Sequence, residues 1–158
     1  MEADGFEVRD ILPGLINAAC PLPEVVTGGQ PTEEHLQALS GLGYRTILDL
    51  RAPGEPRPYD EAEAARGIGM EYVNLPVTPE TLADETFGRF RELMRDASKR
   101  PVLVHCASGN RVAVLLIPYL VLDEGKTVDD AVSIATRVGL RSREMADRAL
   151  DYVDRHRG

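Results

Sequence analysis

The sequence has no tryptophan, and only 5% of its 158 residues are aromatic. That scarcity removes the stacking platforms on which single-stranded nucleic acid is held. Basic residues are also in the minority: 18 Lys and Arg stand against 26 Asp and Glu, for a formal charge of −8. Such a balance disfavours unaided adhesion to nucleic acid or to an anionic lipid surface, although one basic site in an acidic protein can still hold a small anion. Two cysteines, Cys20 and Cys106, cannot build a disulfide framework and are too few for a cysteine metal centre. His35, His105 and His156 form no pair at ligand spacing, so neither a metal nor a cofactor is expected. The longest apolar run, residues 112–122, is too short to span a bilayer and reads as a buried helix. The opening stretch MEADGFEVRD is acidic and lacks the basic-then-apolar order of a secretory signal. These absences together predict a cytoplasmic protein that engages neither nucleic acid nor membrane.

What is present suits a folded globule: 43% hydrophobic and 28% charged residues in a chain of the size of one domain. We expect a single α/β domain over residues 1–158 with its core at about 25–155. Val25 and Val26 suggest a short strand, stopped by Gly28 and Gly29. Thr32, as N-cap, then opens a helix over residues 33–42 with Leu36, Leu39 and Leu42 on one face. RTILDL, residues 45–50, is the first strong strand, followed by a turn at Pro53-Gly54 and a helix from near Pro58 to Arg66. A strand over 70–75 precedes an amphipathic helix over 84–97, whose inner face is Phe87, Phe90, Leu93, Met94 and Ala97. PVLVH, residues 101–105, carries no polar residue before His105, as a strand covered on both faces requires.

The long apolar helix follows, with a kink or break expected at Pro118. Thr127 with Asp130 resembles a capping box for the next helix, and a last one spans about 142–154. The alternation predicts a small, mostly parallel central sheet of four or five strands flanked by helices. Its strands deliver Arg51, Leu75-Pro76 and His105-Cys106 to their carboxyl ends, where open α/β sheets bind ligands.

One segment concentrates chemistry. HCASGNR, residues 105–111, joins a buried strand to a buried helix. If it curls, the backbone N–H groups of Ala107, Ser108, Gly109, Asn110 and Arg111 converge with the helix N-terminus on one point and make an anion cradle. Gly109 permits the curl. The same field favours the thiolate of Cys106, making it the candidate nucleophile, and Arg111 supplies a planar fork for two oxyanion oxygens. His105 is read as a support whose ring hydrogen-bonds backbone while its charge favours the thiolate, and Ser108 and Asn110 also serve as turn formers. Arg51 is placed either to bind a second anion or to pair with Glu55. Cys20 is read as packing or as a redox partner of Cys106.

Beyond this loop, GGQPTEEHLQALSGLGYRTILDLR (28–51), EYVNLPVTPETL (71–82), PVLVHCASGNRVAVLL (101–116) and GKTVDDAVSIATRVGL (125–140) resemble the cysteine-dependent, dual-specificity-like protein tyrosine phosphatase superfamily. The likeness is to a compact bacterial branch similar to the domains fused to NAD kinases or β-lactamase-like hydrolases. The resemblance implies a phosphatase acting on a phosphorylated small molecule or phosphoprotein through a thiophosphoryl intermediate on Cys106. In it Arg111 is the phosphate clamp, and the N–H groups of Ala107, Ser108, Gly109 and Asn110 form the cradle. Four residues separate Cys106 from Arg111, the count found in many rhodaneses, where the phosphatase superfamily usually has five. Val112 replaces a common hydroxyl residue, and the general acid falls to Glu80 or Asp84. Rhodanese-like sulfur transfer and non-catalytic phosphate binding therefore stand as alternative readings.

Overall fold

In a computed structural model, residue 8 and residues 10–157 are described; the acidic opening stretch lies almost wholly outside them. The sheet is built from β1 (Ala19–Leu22), β2 (Val25–Gly28), β3 (Thr46–Asp49), β4 (Glu71–Asn74) and β5 (Val102–His105). Its order is β1-β2-β5-β3-β4, with β1 antiparallel to β2 and the remaining pairs parallel. The expected mostly parallel sheet is thus present, with β5 at its centre. β1 was not legible: Pro21 cannot donate to a ladder, which masks a strand in sequence yet is tolerated at an edge.

The strands are apolar on alternate residues of both faces. Val25, Leu48, Val102 and Val104 point into one core, and Val26, Ile47 and Leu103 into the other. Two layers of helix must therefore cover the sheet. On one face lie α1 (Glu33–Gly41) and α2 (Glu61–Gly67), which contribute Leu36, Leu39 and Ala65. On the other lie α3 (Asp84–Arg95), α4 (Asn110–Leu122), α5 (Val128–Val138) and α6 (Arg143–His156). α4 is buried from Val112 to Leu120, and α5, α6 and α3 pack around it.

The break expected at Pro118 does not occur; α4 runs continuously through it. A proline inside a helix costs about 3 kcal/mol, and burial of the surrounding apolar side chains outweighs that. α2 begins at Glu61, with Asp60 as its N-cap, three residues later than the proline at 58 suggested. Ala97 falls in a short 3-10 turn and is exposed, so the apolar face of α3 ends at Met94. Thr32, Thr127 and Ser142 cap their helices as donor-satisfying oxygens, although His35 rather than an acid completes the box at Thr32.

The ladder registers put Gly28, His105, Asp49 and Asn74 in one row across four strands. Every parallel strand therefore ends at the same level, and the segments that follow, from Gly29, Cys106, Leu50 and Leu75, rise together at one edge.

Candidate active site

Cys106 stands one residue past that row and is 1% exposed. The chain then turns through Ala107, Ser108 and Gly109 into α4. Three successive carbonyls of this turn are held from outside it. Cys106 O faces His105 Nδ1 at 3.2 Å, Ala107 O accepts from the Gln30 backbone N–H at 3.2 Å, and Ser108 O accepts from Asn17 Nδ2 at 2.6 Å. In a planar trans peptide the next residue's N–H points opposite to the carbonyl, so the N–H groups of Ala107, Ser108 and Gly109 face inward. The Gly109 N–H reaches Cys106 Sγ at 3.0 Å. A ring of amide donors at a helix N-terminus, with a sulfur in its floor, has the chemistry to hold an anion.

Two glycines make the curl sterically feasible. Gly109 has φ +112°, and a Cβ on it would lie 2.8 Å from Val138 O. A Cβ on Gly29 would lie 2.4 Å from Ala107 O, so only glycine lets β2's extension pass beneath the loop.

Arg111 lies in the first turn of α4. Its Nη1 and Nη2 donate to Glu55 Oε2 and Oε1 at 2.6 and 3.0 Å, and Nη1 also donates to Val77 O at 3.2 Å. Of the five N–H groups of a guanidinium, those on Nε and the inner side of Nη2 are parallel. Glu55 and Val77 do not engage Nε, and Arg111 also hydrogen-bonds the Cys106 side chain, so Glu55 orients the guanidinium beside the sulfur. The pairing holds the Glu55 carboxyl down at about 2, chiefly through the hydrogen bond from Arg111, and raises Arg111 in turn.

Because Glu55 is lowered on folding, the stability it contributes is complete above the ordinary carboxylate range and fades as pH falls toward 2. Glu55→Gln is accordingly expected to lower the melting temperature at pH 7 and to approach the parent's value near pH 2. Thermal melts across pH 2–7 measure this, and equal differences at both ends would refute the pairing.

The second-anion reading of Arg51 is corrected by its environment. It is 8% exposed and donates to Glu55 Oε1 at 3.2 Å, Gln30 Oε1 at 2.6 Å and Pro56 O at 2.6 Å. The alternative pairing with Glu55 is the one observed. The Asn110 side chain is committed outside the loop: its Oδ1 accepts from Arg141 N and Ser142 N. Asp84 is the first residue of α3, after an N-cap at Ala83. It pairs with Arg155 at 2.8 and 2.9 Å, which keeps its carboxyl below the usual range and makes it a poor proton donor. Glu80 is exposed on the loop after β4. That loop is tied by Arg148, which donates to Pro79 O at 2.8 Å and to Leu82 O.

Beneath the cradle His105 is fully buried, with Nε2 2.5 Å from Glu61 Oε2 and 3.8 Å from Asp49 Oδ1. Asp49, Glu61 and His105 bring donor atoms within 4.8 Å of one another, a grouping that histidine spacing alone does not disclose. Its atoms are already engaged. Asp49 accepts from Arg51 N, Arg57 and Tyr72, and Glu61 Oε1 accepts from Gln30 Nε2 at 2.9 Å. This is a buried, charge-paired hydrogen-bond network.

Asn17, Gln30, Glu55 and Glu61 are the residues that sequence reading missed as site components. Glu55 had a signal, as the suspected partner of Arg51. Gln30 followed a glycine pair that was read only as a strand stop, and Asn17 and Glu61 come from segments distant in the chain.

A family model for the DSP-PTPase phosphatase fused to NAD+ kinase matches residues 22–150. A β-lactamase hydrolase-like protein from Xylella fastidiosa (strain 9a5c) is 33% identical over 131 residues, 80% of this chain and 29% of that relative, so the chain spans less than a third of its length. A crystal structure of a Shewanella putrefaciens CN-32 protein superposes with a TM-score of 0.80 at 21% identity, covering 95% of this chain and 99% of that one. Pseudomonas aeruginosa TpbA, solved in complex with pTyr, gives 0.68 at 19% identity over 87% and 83%. The structural likenesses establish the shared fold.

Proposed function

This chain belongs to the family of DSP-PTPase phosphatases fused to NAD+ kinase, and from that premise we propose that it hydrolyses phosphotyrosine or a small phosphate ester with Cys106 as nucleophile. The observation that carries the reading is the sulfur of Cys106 receiving the Gly109 N–H at 3.0 Å inside a ring of inward amides, with the Arg111 guanidinium beside it. The pTyr bound by TpbA makes an aryl phosphate the natural first probe.

In the proposed reaction the amides of Ala107, Ser108 and Gly109, with Arg111, bind the three non-bridging oxygens. The thiolate attacks phosphorus in line. An S–P bond forms as the bond to the leaving oxygen breaks, and that oxygen departs with the electron pair. Water then attacks phosphorus, and the S–P bond breaks to return the thiolate and release inorganic phosphate. Arg111, fixed by Glu55, meets the charge that spreads over the equatorial oxygens.

The test is phosphate release from p-nitrophenyl phosphate and a phosphotyrosine peptide between pH 5 and 7, with acid-quench intact mass to detect one added phosphoryl group. No release and no adduct would end the proposal.

Among the described residues, Glu55 is the one carboxyl group hydrogen-bonded to Arg111, and it stays ionised throughout this range. Proton delivery to the leaving oxygen is therefore weak. A general acid contributes about 10²- to 10⁴-fold, so kcat/KM for an alkyl phosphate is expected to fall at least about 10²-fold below that for an aryl phosphate. Equal rates would show that an acid, with exposed Glu80 the first candidate, reaches the site.

The four-residue spacing between Cys106 and Arg111 favours one second reading, sulfur transfer. Thiosulfate should then leave a cyanide-labile persulfide on Cys106. An unchanged intact mass would exclude it.

A further inference from the structure

His105 Nδ1 faces the Cys106 carbonyl oxygen at 3.2 Å. A carbonyl only accepts, so Nδ1 carries a proton. Nε2 faces Glu61 Oε2 at 2.5 Å, and the other Glu61 oxygen already accepts from Gln30 Nε2 at 2.9 Å. Glu61 is 1% exposed and His105 fully buried, so neither charge has water to lean on and each must be matched by protein.

The groups facing this pair come from every element around it. β3 supplies Asp49, the segment after it Arg51, Glu55, Arg57 and Tyr59, β4 Tyr72, and the loop and α4 Cys106 and Arg111. Burial pushes the Tyr59 and Tyr72 hydroxyls up, so both are neutral, and Tyr72 donates to Asp49 at 2.5 Å. Asp49 is matched by Arg57 at 2.8 Å, and Glu55 lies between Arg51 and Arg111. Asp49 and Glu55 are thus engaged by arginines, whereas among the described residues the one ionisable partner of Glu61 is His105. Both ring nitrogens of His105 face acceptors, Nδ1 a carbonyl and Nε2 a carboxylate with no other ionisable partner.

We propose that Glu61 holds His105 in its doubly protonated form, and that this cation, bonded to the carbonyl of Cys106, favours the thiolate at the floor of the cradle. Glu61 touches neither the sulfur nor an oxyanion site; it is a positioning residue that acts through His105. The Nδ1–H also polarises the peptide whose far end is the Ala107 N–H, strengthening one cradle donor. The proposal rests on the reading of Cys106 as nucleophile, but the state of the ring is measurable without turnover.

Ring-nitrogen NMR on uniformly ¹⁵N-labelled protein should show both nitrogens of His105 protonated from pH 5 to 8. In Glu61→Gln the amide can donate to Nε2, so one nitrogen should become bare while Nδ1 keeps its proton. Alkylation of Cys106 by iodoacetamide at pH 6 should then slow about tenfold. A bare ring nitrogen in the parent protein, or an unchanged alkylation profile in folded Glu61→Gln, would overturn the proposal. If that variant does not fold, the parent spectrum still decides. A protein with the doubly protonated ring but no phosphate release would remove the phosphatase reading and leave the Glu61–His105 pairing standing.

Discussion

Serine in place of Cys106 is expected to fold like the parent and to release phosphate from p-nitrophenyl phosphate at least about 10⁴-fold more slowly. The substitution is nearly isosteric at a residue 1% exposed, and the hydroxyl can still accept the Gly109 N–H that now reaches Sγ at 3.0 Å. What is lost is the anion. A serine hydroxyl is not ionised by a helix N-terminus and a few amides, and His105, whose Nδ1 is turned to the backbone carbonyl, is not placed to take its proton. The cradle and Arg111 remain, so the variant should bind orthophosphate with an affinity close to the parent's. Steady-state kinetics with phosphate titration separate these effects. Turnover within tenfold of the parent would mean that Cys106 forms no intermediate.

Alanine at Gly109 is the second large effect. The new Cβ would stand 2.8 Å from Val138 O at a backbone φ of +112°, so steric overlap is added to a conformation that L residues avoid. A cost of about 3 kcal/mol is expected, which for a domain of this size lowers the melting temperature by roughly 6–12 °C. The relief available is a shift of the 106–110 turn away from the end of α5, and this moves the N–H of residue 109 off the sulfur. Activity should therefore fall more steeply than stability, by about 10²-fold or more at a temperature where the variant is fully folded. A scanning-calorimetry melt beside an activity assay at 20 °C tests the pair; loss of stability with full activity would show that the Gly109 amide is dispensable.

Both effects depend on a segment that was prominent in the sequence. HCASGNR stood out because an apolar strand, a glycine-bearing turn and an apolar helix follow one another within a few residues, and those are local properties. The parallel sheet was legible for the same reason: TILD, EYVN and VLVH are short apolar or β-branched runs between turn signals. β1 escaped because Pro21 disguises an edge strand, and the uninterrupted α4 because packing on all sides overrides a propensity.

The residues that complete the site were hidden by distance along the chain. Asn17 caps Ser108 O across 91 positions, Glu55 holds Arg111 across 56, and Glu61 meets His105 across 44. Hydrophobic period and turn chemistry carry no information about such pairs, since a surface glutamate and a buried one are spelled alike. Because strand, glycine turn and helix are contiguous around Cys106, a candidate anion cradle centred on it at the carboxyl edge of an α/β sheet is readable from the residues alone. How that cradle is charged and aimed depends on packing between segments far apart in the chain. The common row of Gly28, His105, Asp49 and Asn74 brings four strand ends to one level, and β3 with the chain that follows it supplies the carboxylates that orient Arg111 and enclose His105.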